Sequence, residues 1–339
     1  MRPIARAPSS GMRWLPVLAL AACGNNLPGP GTCEAPPGGG APELVDVPLI
    51  GRGGYDDLRF SPQLGKVVAA PQGTGQLFLV DPETLDSQRI QISAGVASAD
   101  ASATRVYAAD RGNDRIVAID VATLQQVASG GTDGNPDYVR FSPNAPEVWV
   151  TLPGRNQIEI LDATSLQVID RVEVPVAPEG LTFDTMGRAY TQDAASGKVI
   201  VIDAARRLVL DELGTGCGTS HGFPQVDRAY DLVIGGCSSS GGAGIVTGGG
   251  DLASGIEAGG AAAILAYDAT KHHLFLRGDP GDTLDIIAVC SSGGLTVLAQ
   301  VPIADHGHGA TVDDKGRVWV CNANTGGLQR ITDPFEATN

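Results

Sequence analysis

The chain has 339 residues, 42% of them apolar and 18% charged, with 46 glycines and 22 prolines. That is enough apolar material for a sizeable core, and no long stretch places apolar residues at i, i+3, i+4 and i+7, which excludes a helical protein and favours many short strands joined by tight turns. The formal charge of −15 argues against a nucleic-acid partner, because binding phosphate through counterion release needs clustered Lys and Arg.

In chain order the first element is an export signal. Residues 1–22 carry Arg2, Arg6 and Arg13 and no acid, and they end in the apolar run Trp14-Leu-Pro-Val-Leu-Ala-Leu-Ala-Ala22. Such a run is too short to span a bilayer. Leu20-Ala21-Ala22-Cys23 resembles the bacterial lipobox, and this resemblance implies cleavage before Cys23 and acylation of that cysteine. Cleavage removes three arginines and takes the charge from −15 to −18. At roughly 0.8 kcal/mol per buried CH₂, more than one acyl chain gives stable membrane attachment. Gly24 follows the cysteine where an aspartate would retain the protein in the inner membrane, so resemblance to Gram-negative sorting rules implies the outer membrane. Residues 23–43 are rich in Pro and Gly and are expected to form an extended tether.

Beyond the tether the sequence repeats. Gln76-Leu-Phe-Leu-Val-Asp81, Arg115-Ile-Val-Ala-Ile-Asp120, Gln157-Ile-Glu-Ile-Leu-Asp162 and Lys198-Val-Ile-Val-Ile-Asp203 are apolar strands ending in Asp. Asp suits the turn that follows because its carboxylate takes backbone N–H groups two residues on. The same slot recurs at Asp333 and, occupied by cysteine, at Cys290; the interval between Asp203 and Cys290 leaves room for one more turn near Thr247. A second ladder precedes the first, as in Phe60-Ser-Pro, Phe141-Ser-Pro, Phe183-Asp and Val312-Asp. Four strands at a period of about forty residues predict an all-β, seven-bladed β-propeller over residues 44–335. The last repeat runs out after three strands, so the strand at 43–50 is expected to supply its fourth and cover the open edge. The fifth repeat is nearly all Gly, Ala and Ser over 235–263, which predicts a floppy blade or an inserted loop.

Val106-Tyr-Ala-Ala-Asp-Arg-Gly-Asn-Asp-Arg-Ile-Val-Ala-Ile-Asp120 resembles the repeat of the YVTN family of bacterial seven-bladed propellers. The likeness covers about residues 44–335 and is clear for repeats 1–4 and 7. In such a ring the first strand of each blade lines a central channel and starts at one mouth. Alignment of the repeats brings Glu179, His221 and His308, each followed by glycine, to one equivalent position there. Asp137 joins them in the third blade and Asp56 or Asp57 in the first.

Carboxylates and imidazoles at one mouth suit a divalent metal or a substrate, or a general base for ring opening; equally they suit a wet polar channel. His306 is read as a loop residue, and His272-His273 as an inert lower turn. The cysteines after Cys23 point to an oxidising compartment. Cys217 and Cys237 are expected to pair across the loops of blade 5, with a Cys217/His221/Cys237 metal site as the rival reading. Cys33 and Cys290 are expected to pair near the lower rim of blades 6 and 7, and Cys321 is left over.

No complete catalytic constellation is present. The leading expectation is therefore a monomeric, membrane-anchored binding scaffold for a protein or small-molecule ligand. The alternative is a lactonase- or lyase-like enzyme using a divalent metal, because His308-Gly309-Ala-Thr-Val-Asp-Asp-Lys-Gly-Arg-Val-Trp319 is similar to a lyase-type repeat.

Overall fold

The computed structural model describes residues 26–49, 54–238, 241–258, 260–304 and 306–338. Cys23 and the leader lie outside these residues. The short apolar runs form seven four-stranded antiparallel sheets, six of them built from consecutive strands. These blades occupy residues 58–91, 96–131, 139–173, 178–213, 225–257, 262–302 and 310–332. The seventh is completed by Glu43–Val47, which lies antiparallel to Gly327–Thr332 with Val47 opposite Leu328 and Glu43 opposite Thr332. The start of the domain thus latches onto its end, as the open edge of the last repeat required. Ile50, the final residue of the expected strand, lies outside the described residues.

Each blade starts at its innermost strand, and these strands ring the channel. No strand of the seven sheets pairs with them on the channel side, so side chains from neighbouring blades take over several of their N–H groups. Phe141 donates to Asp100 Oδ2 at 2.9 Å, Val139 to Ser98 Oγ at 3.1 Å, and Phe60 to Thr311 Oγ1 at 3.0 Å. Between blades the sheets meet face to face through buried Val, Ile, Leu and aromatic side chains, with Trp149 and Trp319 both 0% exposed.

The Asp-ended turns work as their chemistry predicts. Asp81, Asp120, Asp162 and Asp203 each accept two backbone N–H groups through Oδ1. The residue that closes each turn, Leu85, Leu124, Leu166 or Arg207, is left-handed, with φ between 57° and 65°.

Two expectations need correction. Blade 5 is not an inserted loop but a regular blade: Gln225–Asp227, Leu232–Gly236, Gly242–Thr247 and Leu252–Glu257 form a complete sheet. Its glycines make room for chain packed against it. A Cβ at Gly244 would stand 1.8 Å from the Thr215 carbonyl oxygen, and one at Gly255 would stand 2.8 Å from Leu27. The second correction concerns the expected extended tether, which is docked throughout its described part. Asn26 N–H donates to Gly216 O at 2.8 Å, Leu295 N–H to Pro30 O at 2.7 Å, and Thr296 Oγ1 to Cys33 O at 2.5 Å. Further on, Gly38 bridges to Phe335.

Both expected disulfides form, Cys33–Cys290 and Cys217–Cys237, and they fit an oxidising, exported environment. The second excludes the rival Cys217/His221/Cys237 metal site, since both thiols are consumed. Cys321 is free and buried.

Candidate functional site

The mouth collects the loops that enter each blade and those joining second to third strands. Its floor is aromatic: Tyr138 and Phe223 meet edge to face with ring centroids 5.7 Å apart, and both are buried. The polar groups above this floor fall into two halves.

On blades 1–4, Arg111 forms ion pairs with both Asp56 and Asp137. It belongs to the one-turn helix Arg111–Asn113 between the second and third strands of blade 2. Asn135 Nδ2 braces that turn by donating to the Arg111 carbonyl at 3.0 Å. Burial works against the Arg111 charge, but Asp137 and Asp56 hold its pKa above the ordinary value. Glu179 hydrogen-bonds Asp137, and its pKa is pushed up to about 9, by burial first and by the Asp137 charge second. Burial raises Asp137 as well, opposed by Arg111 and by the bond from Glu179. Near neutral pH, therefore, Glu179 holds a proton within its bond to Asp137.

On blades 5–7, His221 and His308 meet edge-on with ring centroids 5.7 Å apart, and Phe223 lies 5.6 Å from His308. Asp279 Oδ2 is 3.5 Å from His308 Nδ1, and Asp279 Oδ1 is 3.7 Å from His306 Nδ1. Burial lowers the His308 pKa, while Asp56 and Asp279 act in the opposite direction. His308 is thus a neutral imidazole at pH 7 and faces an acidic half whose Glu179 is protonated.

The structure brings Asp56, Asp137 and Glu179 together around Arg111, and His221 and His308 together ring to ring. It also separates Asp56 from Asp57, which the sequence left as alternatives: Asp56 stands at the mouth, whereas Asp57 turns into the channel against Arg140 and Ser98. Among the described residues no three His, Cys, Asp or Glu side chains are grouped so as to hold a metal ion. Glu179, His221 and His308 therefore do not share a ligation point in this arrangement. His306 is largely exposed. His272 and His273 lie on the lower face. His272 stacks on Tyr230 and bonds Asp227, while His273 is bonded by Asp333 and Thr338.

Sequence reasoning missed Arg111 and Asp279. Both lie at the mouth end of a second strand, outside the first-strand ladder that was aligned. The available signal was that second-to-third-strand loops reach the same mouth.

No protein-family model matches the chain, and no curated protein matches it. Solved structures do. The RRP9 WD40 repeats superpose with a TM-score of 0.75 at 10% identity, covering 89% of this chain and 100% of that one. A chain in the structure of the mitotic checkpoint complex gives 0.72 at 13% identity, covering 100% and 99%. A chain of the Kuenenia stuttgartiensis hydrazine synthase gives 0.70 at 12% identity, covering 85% and 97%. The chain is a seven-bladed β-propeller. At identities this low the likeness shows the propeller fold alone, and function has to be argued from the mouth.

Proposed function

We propose that this propeller is a YVTN-like lipoprotein of the cell envelope, acylated at Cys23, attached to the outer membrane, and acting as a binding scaffold whose mouth takes a small-molecule or protein ligand. The observation that carries this reading is the composition of the mouth. An aromatic floor, Tyr138 and Phe223, lies beneath a guanidinium, two carboxylates, a protonated carboxyl and two imidazoles. A few convergent polar groups over an apolar base are the usual lining of a ligand site. The propellers it superposes on include a chain of an enzyme and a chain of a checkpoint assembly, so shape alone does not separate catalysis from scaffolding.

Two measurements test the reading. Metabolic labelling with an alkyne fatty acid is expected to mark the protein and to be lost in Cys23→Ala. A thermal-shift screen of sugars, carboxylic acids, amines and peptides is expected to find compounds whose effect disappears in Arg111→Ala. A screen in which every hit survives Arg111→Ala and His308→Ala removes the mouth as the binding site.

One observation favours the second reading, a lactonase- or lyase-like enzyme. His308 is held neutral and Glu179 is held protonated, a base and an acid at one mouth. A divalent metal enters that reading only through a rearrangement that draws Glu179, His221 and His308 to a common point. Stoichiometric metal in the purified domain, lost in both His308→Ala and Glu179→Ala, is the result that establishes it.

A further inference from the structure

The described part of the segment before the first blade is a strap that runs along blades 5 to 7. From the outer strand of blade 7 the chain runs back through the Gly38–Phe335 bridge to the Cys33–Cys290 disulfide. Cys290 stands where the third strand of blade 6 turns into the fourth, which is the face opposite the mouth. The strap then climbs. Thr32 packs on Gly294, Pro30 O accepts from Leu295, and Leu27 settles over Gly244 and Gly255 of blade 5. It arrives at Gly216, whose carbonyl accepts the Asn26 N–H. Gly216 belongs to the same connection, between blades 4 and 5, that carries His221 into the mouth.

Only three residue steps separate Asn26 from Cys23. Fully extended, they span about 10 Å. An acyl group on Cys23 therefore cannot hold the bilayer far from the mouth-side rim of blades 4 and 5. The lower face is farther away by the height of a blade, roughly 20 Å for six residues of strand. The strap is held to the propeller by a disulfide, by backbone hydrogen bonds and by Leu27, packed on Gly244 and Gly255. The acidic surface opposes flat contact with anionic lipid, and a gap of about 10 Å matches the screening length at physiological salt.

We propose that the strap sets the propeller with its mouth-side rim at blades 4 and 5 turned toward the bilayer. This rests on the lipid-anchor reading above and adds orientation to it.

The test places a genetically encoded fluorescent residue at Thr219 on the mouth-side connection or at Ala205 in the opposite turn of blade 4, both exposed. The full-length lipidated protein is reconstituted in phosphatidylethanolamine–phosphatidylglycerol vesicles bearing a headgroup acceptor dye. Energy transfer is expected to be at least twofold stronger from Thr219, and the difference is expected to shrink in the Cys33→Ser/Cys290→Ser double variant. Equal or reversed transfer in protein that carries the alkyne label overturns the orientation alone. Absence of the label overturns the anchor and the orientation together.

Discussion

Asp57 and Arg140, 83 positions apart in sequence, meet beneath the mouth in a two-pronged ion pair, Nη1 to Oδ2 at 2.6 Å and Nη2 to Oδ1 at 2.9 Å. Both side chains are almost fully buried. The remaining groups are also occupied: Arg140 Nε donates to Leu181 O at 3.0 Å, and Ser98 Oγ donates to Asp57 Oδ2 at 2.6 Å. The pair thus links blades 1, 2, 3 and 4 across the channel. Breaking such a pair on one side leaves an uncompensated buried charge, which costs about 3–5 kcal/mol, whereas replacing both partners with apolar residues can be nearly neutral. Chemical denaturation is expected to show Asp57→Leu and Arg140→Met each destabilised by that amount, with the double variant recovering more than half. Additive losses would mean the two residues act separately.

The shared proton at the mouth predicts a pH dependence. The Glu179 pKa is raised from 4.5 to about 9 in the folded protein. Between those values the folded state holds a proton that the unfolded chain has released, so stability falls as pH rises through the window. Glu179→Gln preserves the shape and a donor to Asp137 but cannot ionise. The melting temperature of the unmodified protein is expected to drop relative to this variant by about 5 °C between roughly pH 5 and pH 9. Parallel profiles would show that Glu179 carries no proton in the fold.

Much of this architecture is legible from the chain because its repeat is written in local chemistry. Asp81, Asp120, Asp162 and Asp203 mark their turns through bonds to residues two and three positions on, which any window of sequence contains. Arg111 and Asp279 were not legible in the same way. Their roles depend on loops from different blades converging, and nothing near either residue records that. Blade 5 misled for a related reason. Gly244 and Gly255 look like missing strand formers, yet each is small because Thr215 or Leu27 passes across it.

That explanation of the glycine-rich blade predicts unequal tolerance to a methyl group. Gly255→Ala places a Cβ 2.8 Å from Leu27, in a packed interface, whereas a Cβ at Gly249 in the adjacent turn meets nothing closer than 3.7 Å. Overpacking of this kind typically costs about 1–3 kcal/mol. Gly255→Ala is expected to lower stability by that amount and to be rescued in part by Leu27→Gly, which removes the Cβ it meets, while Gly249→Ala is expected to be close to neutral. Equal effects at the two glycines would mean that Leu27 does not rest on blade 5.

Closure of the ring makes the sharpest prediction. Gly327–Thr332 is covered on one side by Val318–Asn322 and on the other by Glu43–Val47 alone. A chain beginning at Pro48 loses five residues of pairing and exposes a strand edge beside Leu328 and Ile331, both buried in the intact fold. Unpaired apolar edges recruit other strands. Size-exclusion chromatography with light scattering is expected to find this truncated chain in soluble aggregates, with its melting temperature at least about 10 °C lower. Adding a peptide that spans residues 26–47 is expected to restore part of the monomer, because its backbone supplies the missing ladder and the Cys33–Cys290 link can form again. A truncated chain that stays monomeric and melts unchanged would show that blade 7 needs only three strands.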